Sequence, residues 1–192
     1  MRRWVVQLAA DADAPSSAVD RALHALPGDA GRNLPGSVGG ADATWELTAD
    51  DDPTALLDTT ALRIVDVVSL APLASETTVT SPPLIKRTLL LQVRAGTDPA
   101  ACRQFEAEVA AMPRHIASIR SWALSLVDQA RTPSRWTHAW EQEYETLDGL
   151  ERDYMLHPYH WAGVDRWFDP EMPDRIVDLD LVHVFYERAA TP

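Results

Sequence analysis

A chain of 192 residues, 46% of them hydrophobic and seven of them tryptophan, has enough apolar material for one ordinary domain or two small ones and is not disordered. Its 29 acidic against 17 basic residues give a formal net charge of -12, which argues against nucleic acid or an anionic membrane surface as partner. Cys102 is the only cysteine, so an intrachain disulfide and a zinc-ribbon spacing are excluded, a reducing cytoplasm fits best, and no apolar run approaches the roughly 18 residues of a membrane span.

In chain order, Met1-Arg2-Arg3 ahead of residues 4–10 imitates a secretion signal, but the apolar run is short and broken by Gln7, so it reads as a strand over 3–9. Pro15-Ser16-Ser17 starts a helix that Pro27-Gly28 ends, and strands are expected over 36–40, 43–48 and 62–70. Residues 71–83 carry serine, threonine and three prolines without apolar periodicity, which predicts an extended tether. A strand over 85–94 follows. Asp98 then caps a helix with Pro99 at its first position, running to Met112-Pro113 and burying Phe105, Val109 and Met112, with Cys102 as inert packing beside them. Strands over 118–128 and 136–144, a helical region over 147–168 and a strand over 175–187 complete the chain.

Three short matches recur in the same order: Val5-Val6-Gln7-Leu8 with Leu90-Leu91-Gln92-Val93, Trp45-Glu46 with Trp140-Glu141, and Arg63-Ile64-Val65-Asp66 with Arg175-Ile176-Val177-Asp178. They argue for a duplicated unit. The predicted fold class is α+β: two ferredoxin-like units in one chain, each burying its bare sheet face against the other to make an internal pseudo-dimeric β-barrel. The expected division is a degenerate unit over 1–73, a linker over 74–83 and a site-bearing unit over 84–192. Such a chain is a monomer with its own pseudo-dimer or a further homodimer. From Trp45 to Arg63 is 18 residues and from Trp140 to Arg175 is 35, so the first unit lacks the segment that carries Tyr154, His157 and His160.

That segment reads Asp153-Tyr154-Met155-Leu156-His157-Pro158-Tyr159-His160. Pro158 disfavours helix at His157 and suits the first position of a new one, so a helix, a break and a second helix are expected, with His160 in a first turn. The positive end of the helix dipole there holds the imidazole neutral, as a base for proton abstraction beside a carbonyl. Tyr154 is placed to donate its phenolic proton to the carbonyl oxygen. On the preceding strand Trp136, His138, Trp140, Gln142 and Tyr144 alternate onto one face, which serves either an apolar pocket or a plain core, and His157 is either a structural cap or a site residue. His138, His157, His160 and Asp153 are metal-ligand types, but imidazoles three residues apart around a proline do not align, and no metal is expected.

These motifs, with Gly96-Thr97-Asp98-Pro99 and Trp136-Thr137-His138, make residues 84–188 resemble the stress-responsive A/B-barrel (Dabb) family. The resemblance implies a dimeric α+β barrel acting on a small molecule without a cofactor. Among its members, enzymes of the olivetolic acid cyclase type are similar and close a linear polyketide thioester by aldol condensation. Their catalytic tyrosine and histidine match Tyr154 and His160, and pocket histidines match His157 and His138. A first-strand histidine of theirs falls at Arg87, a departure that alters the charge of the pocket. Trp136, Trp140 and Trp161 complete the expected substrate-binding set. A non-catalytic ligand-binding barrel and a cofactor-free monooxygenase are the alternative readings.

Overall fold

The computed structural model describes residues 1–57, 60–78 and 84–188. Eight antiparallel strands form one sheet in the order β2-β3-β1-β4-β6-β7-β5-β8. The first four are β1 (Arg2–Ala10), β2 (Asp29–Arg32), β3 (Ala43–Ala49) and β4 (Leu62–Glu76); the last four are β5 (Leu84–Val93), β6 (Ser121–Val127), β7 (His138–Tyr144) and β8 (Val177–Arg188). Each half thus follows the same order, second strand, third, first, fourth, and the halves join where β4 pairs with β6. The far edges are stitched by the segment after β2: the Leu34 N–H donates to the Phe185 carbonyl at 2.8 Å, and Val38 and His183 exchange backbone bonds at 2.8 Å. The result is a nearly closed barrel of two ferredoxin-like halves, the α+β architecture that the composition and element pattern predict.

Burial on both faces explains the near-continuous apolar runs of β1 and β5. On β1, Trp4, Val6 and Leu8 meet helix α1 (Ser16–Ala25), whereas Val5 points into the barrel with Val68, Leu90 and Val184. On β5, Leu89 and Leu91 face helix α2 (Pro99–His115) through Phe105, Val109 and Met112. Asp98 accepts from the Ala100 N–H at 2.9 Å and Pro99 opens the first turn, so α2 starts as its sequence dictates. The barrel interior is apolar at one end and charged at the other. Lys86, the only lysine of the chain, sits there 4% exposed between Glu46 at 2.7 Å and Asp29 at 2.9 Å, and Arg3 reaches Glu141 at 2.5 Å.

Four expectations change. The strand expected over 36–40 is instead β2 at Asp29–Arg32; Gly36 and Gly39 take positive φ, which breaks an extended run. At Gly39 a side chain would also collide with the Leu181 carbonyl, so glycine is needed for this segment to lie along β8. The strand expected to stop at residue 70 continues to Glu76, where residues 71–76 pair with β6 across a bulge at Pro72; they are wall rather than tether, and 79–83 lie outside the described residues. Cys102 is half-exposed on α2, 3.6 Å from Glu106, and does not join the core. Finally, the Val5–Leu8 match is out of step with the ladder. Trp45 pairs with Val6 and Trp140 with Leu89, so Val6 corresponds to Leu89, a shift of two residues that leaves every side chain on its face.

Candidate functional site

Between β7 and β8 the chain covers the outer face of the second half with two π-helical segments, Gly149–Tyr154 and Tyr159–Val164, and a 3-10 turn, Asp165–Trp167. The wide turn is visible in the Met155 N–H bonded to the Leu150 carbonyl at 3.1 Å, five residues back. Pro158 splits the segment as its ring requires, and His157 Nδ1 accepts the Tyr159 N–H at 3.1 Å, a cap over the break. Glu108 of α2 pins the cover: Arg166 bonds it at 2.7 Å and the Trp167 indole at 2.8 Å, while the Tyr159 hydroxyl donates to its backbone carbonyl at 3.2 Å.

Under this cover lies a cavity of about 240 Å³ with a largely apolar wall from Leu89, Leu91, Val109, Met112, Trp140, Val164, Phe168 and Leu181. Tyr154, His160, Arg87, His183 and Asp165 also line it, with Met155 at its mouth. The Tyr154 and His160 rings touch at a centroid distance of 4.4 Å, and the Arg87 guanidinium lies over the Tyr154 ring at 5.0 Å. Arg87 is held from β5 by two neighbours on the adjoining strands: its Nε donates to His183 Nε2 at 2.8 Å and its Nη1 to Gln142 Oε1 at 2.5 Å.

The electrostatics follow from burial and from that one cation. Desolvation, then the positive charge of Arg87, push the His160 imidazole down to about 4, and the same two causes push His183 to about 3. His160 is therefore neutral, as the sequence suggests, with burial as the first cause and Arg87 as the second. Burial raises the Tyr154 phenol against the pull of Arg87, so it holds its proton at neutral pH. Burial likewise raises the Asp165 carboxyl, whose Oδ1 is 3.5 Å from His160 Nε2. The Trp140 indole and Gln142 amide approach the Tyr154 oxygen and favour it as an acceptor, yet Trp140 Nε1 and Gln142 Nε2 close no hydrogen bond.

Of the residues expected at the site, Tyr154, His160, Arg87 and Trp140 meet in this cavity. The other four lie elsewhere. Trp136 precedes the β7 ladder and turns into the barrel, where it packs with Val5 and Val68 and its indole donates to Asp66 at 2.7 Å. His138 is buried beside α2, with Nδ1 2.8 Å from the Thr137 hydroxyl and Nε2 3.2 Å from Glu106. With Cys102 it completes a group of three metal-ligand types whose ligand atoms lie within 4.8 Å of one another. His157 is the half-buried cap, and Trp161 is 58% exposed on the outside of the cover. His183 and Asp165 were not singled out from the sequence. The one available signal for His183 was an imidazole in an otherwise apolar stretch of β8; Gln142 was legible only as a member of the β7 face.

A ferredoxin-like α+β barrel completed within one chain, with a largely apolar cavity beneath one helical cover, defines the class. Residues 85–180, half of the chain, match the stress-responsive A/B-barrel domain, and the chain belongs to that family. No curated protein matches it. Among solved structures, a proposed monooxygenase of Lactobacillus acidophilus aligns over 100% of this chain and 99% of its own at 11% identity and a TM-score of 0.57. A proposed monooxygenase of Fusobacterium nucleatum aligns over 97% and 91% at 8% identity and 0.59. A dimeric ferredoxin-like protein of Bacteroides fragilis aligns over 56% of this chain and 99% of its own at 20% identity and 0.45. The first two likenesses extend over both halves and speak for the fold alone. No helix among the described residues is long and apolar enough to cross a membrane.

Proposed function

We propose that the chain is a small-molecule enzyme of the cyclase kind, using acid-base chemistry on a carbonyl substrate such as a polyketide. The observation that carries this reading is the contact of Tyr154 with His160, ring centroids 4.4 Å apart, on the wall of a largely apolar cavity. Neutral His160 takes a proton from the carbon beside one carbonyl, and Tyr154 donates a hydrogen bond to the oxygen on which enolate charge collects. The enolate carbon then attacks a second carbonyl carbon of the same chain, and the new alkoxide recovers the proton from His160. Arg87 adds a positive charge beside the developing anion.

Presenting poly-β-carbonyl thioesters to the chain, to Tyr154→Phe and to His160→Ala tests it. The variants should lose turnover while keeping most ligand affinity, and a chain that binds such compounds but never converts them is a binding barrel instead. A second reading draws on the two solved structures proposed as monooxygenases, because an enolate held by Arg87 and Tyr154 is also what reacts with dioxygen without a cofactor. Oxygen uptake that depends on both substrate and His160 would favour it.

A further inference from the structure

We infer that the ligand of this cavity is an apolar small molecule carrying one carboxylate, and that Arg87 is its counter-charge. The inference rests on the cavity being the working site and adds the class of molecule that enters it. Arg87 is 4% exposed, and a guanidinium keeps its charge at any physiological pH. Its bonded neighbours, His183 and Gln142, are both neutral acceptors. Among the described residues no carboxylate lies within the 4.0 Å of an ion pair to it, whereas Lys86, the buried cation of the barrel interior, is paired with Glu46 and Asp29, and even the part-exposed Arg3 is paired with Glu141. Asp165 acts on it only from further away and stands against His160. A buried charge without a partner is costly, and the usual remedy is an anion.

The surroundings of Arg87 are prepared for acceptor atoms. Two of its five N–H groups are used in these bonds, and the side chain lines the cavity. Because His183 Nε2 accepts from Arg87, the ring proton of His183 sits on Nδ1. Trp140 Nε1 on the cavity wall and Gln142 Nε2 beside Arg87 are buried donors that approach the Tyr154 oxygen and close no hydrogen bond. The cavity thus sets one fixed cation, with the Asp165 carboxyl further from it, against a largely aliphatic and aromatic wall. A phosphate or a dianion calls for more than one cation, and none besides Arg87 lines the cavity apart from two neutral imidazoles. A cavity of about 240 Å³ has room for a single-ring acid or a short-chain one.

The test is a calorimetric titration of the full chain with matched pairs of acid and amide, phenylacetate with phenylacetamide and hexanoate with hexanamide, against wild type, Arg87→Met and Arg87→Lys. At least one acid should bind wild type tenfold or more tighter than its amide; Arg87→Met should abolish that preference with an unchanged circular dichroism spectrum, and Arg87→Lys should restore part of it. A panel in which no acid outbinds its amide, or a preference that survives in Arg87→Met, overturns the proposal. The outcome separates from that of the enzyme reading. Acid preference without turnover of any substrate retains Arg87 as an anion site and removes the enzyme; turnover of neutral carbonyl compounds without acid preference does the reverse.

Discussion

The two halves present the same wall with opposite chemistry. Ladder position by ladder position, Val6 opposite Trp45 becomes Leu89 opposite Trp140, Trp4 opposite Leu47 becomes Arg87 opposite Gln142, and Leu8 opposite Ala43 becomes Leu91 opposite His138. In the first half both indoles are satisfied, Trp4 by the Ala49 carbonyl at 3.3 Å and Trp45 by the Pro27 carbonyl at 2.7 Å, and both side chains are fully buried against α1. In the second half Trp140 Nε1 and Gln142 Nε2 close no hydrogen bond, and a cavity opens beside Trp140 and Arg87. The difference extends to the connection after the third strand, a 3-10 turn at Pro53–Leu56 in one half and the π-helical cover in the other. A barrel wall folds on apolar volume alone. Exchanging that volume for a cation, an amide and a longer cover trades stability for a place where a molecule can sit.

Substitutions can break this comparison. The largest expected effect is on chemistry: His160→Ala should lower turnover about 10²- to 10⁴-fold, the range of a positioned acid-base group, with Tyr154→Phe close behind in the same steady-state assay. Next comes the closed half. Trp4→Ala or Trp45→Ala should cost about 3–5 kcal/mol in urea unfolding and leave ligand affinity of the folded protein unchanged, since neither residue touches the cavity. If either weakens binding as much as it weakens the fold, the division into scaffold and site is wrong.

Acid should expose the open half. The folded pKa values of His160 and His183, about 4 and about 3, lie below the ordinary imidazole value of 6.5, so the unfolded chain takes up protons first. Stability should therefore fall as pH drops below about 6.5, on the order of 3 kcal/mol for His160 and 5 kcal/mol for His183, with no further loss from these groups below about pH 3. Unfolding midpoints measured from pH 7 to pH 4 check this, and replacing both rings with glutamine should flatten the profile. The smallest effect is also the most pointed: Arg87→Met should raise stability by about 1 kcal/mol in the absence of ligand and weaken the same pH dependence, because the cation that depresses both imidazoles is gone. The equivalent position in the first half, Trp4, must respond to truncation in the opposite direction.

The sequence alone determined the barrel and the segment that bears the candidate site. Alternating and near-continuous apolar runs, the Asp98-Pro99 cap and the Trp-Glu repeat are legible signals, and Tyr154 and His160 stand out through the family resemblance of the phrase that carries them. What it did not determine was which side chains converge. Trp136 lies just outside its strand, so alternation cannot be extended to it, and it went to the barrel interior; His138 went to α2. The pairing of β5 with both β7 and β8 brought Gln142 and His183 to Arg87 across 55 and 96 residues of chain. Ladder register is a property of the closed sheet, fixed by bulges and by the packing of both faces together, and no stretch of this chain read by itself contains it.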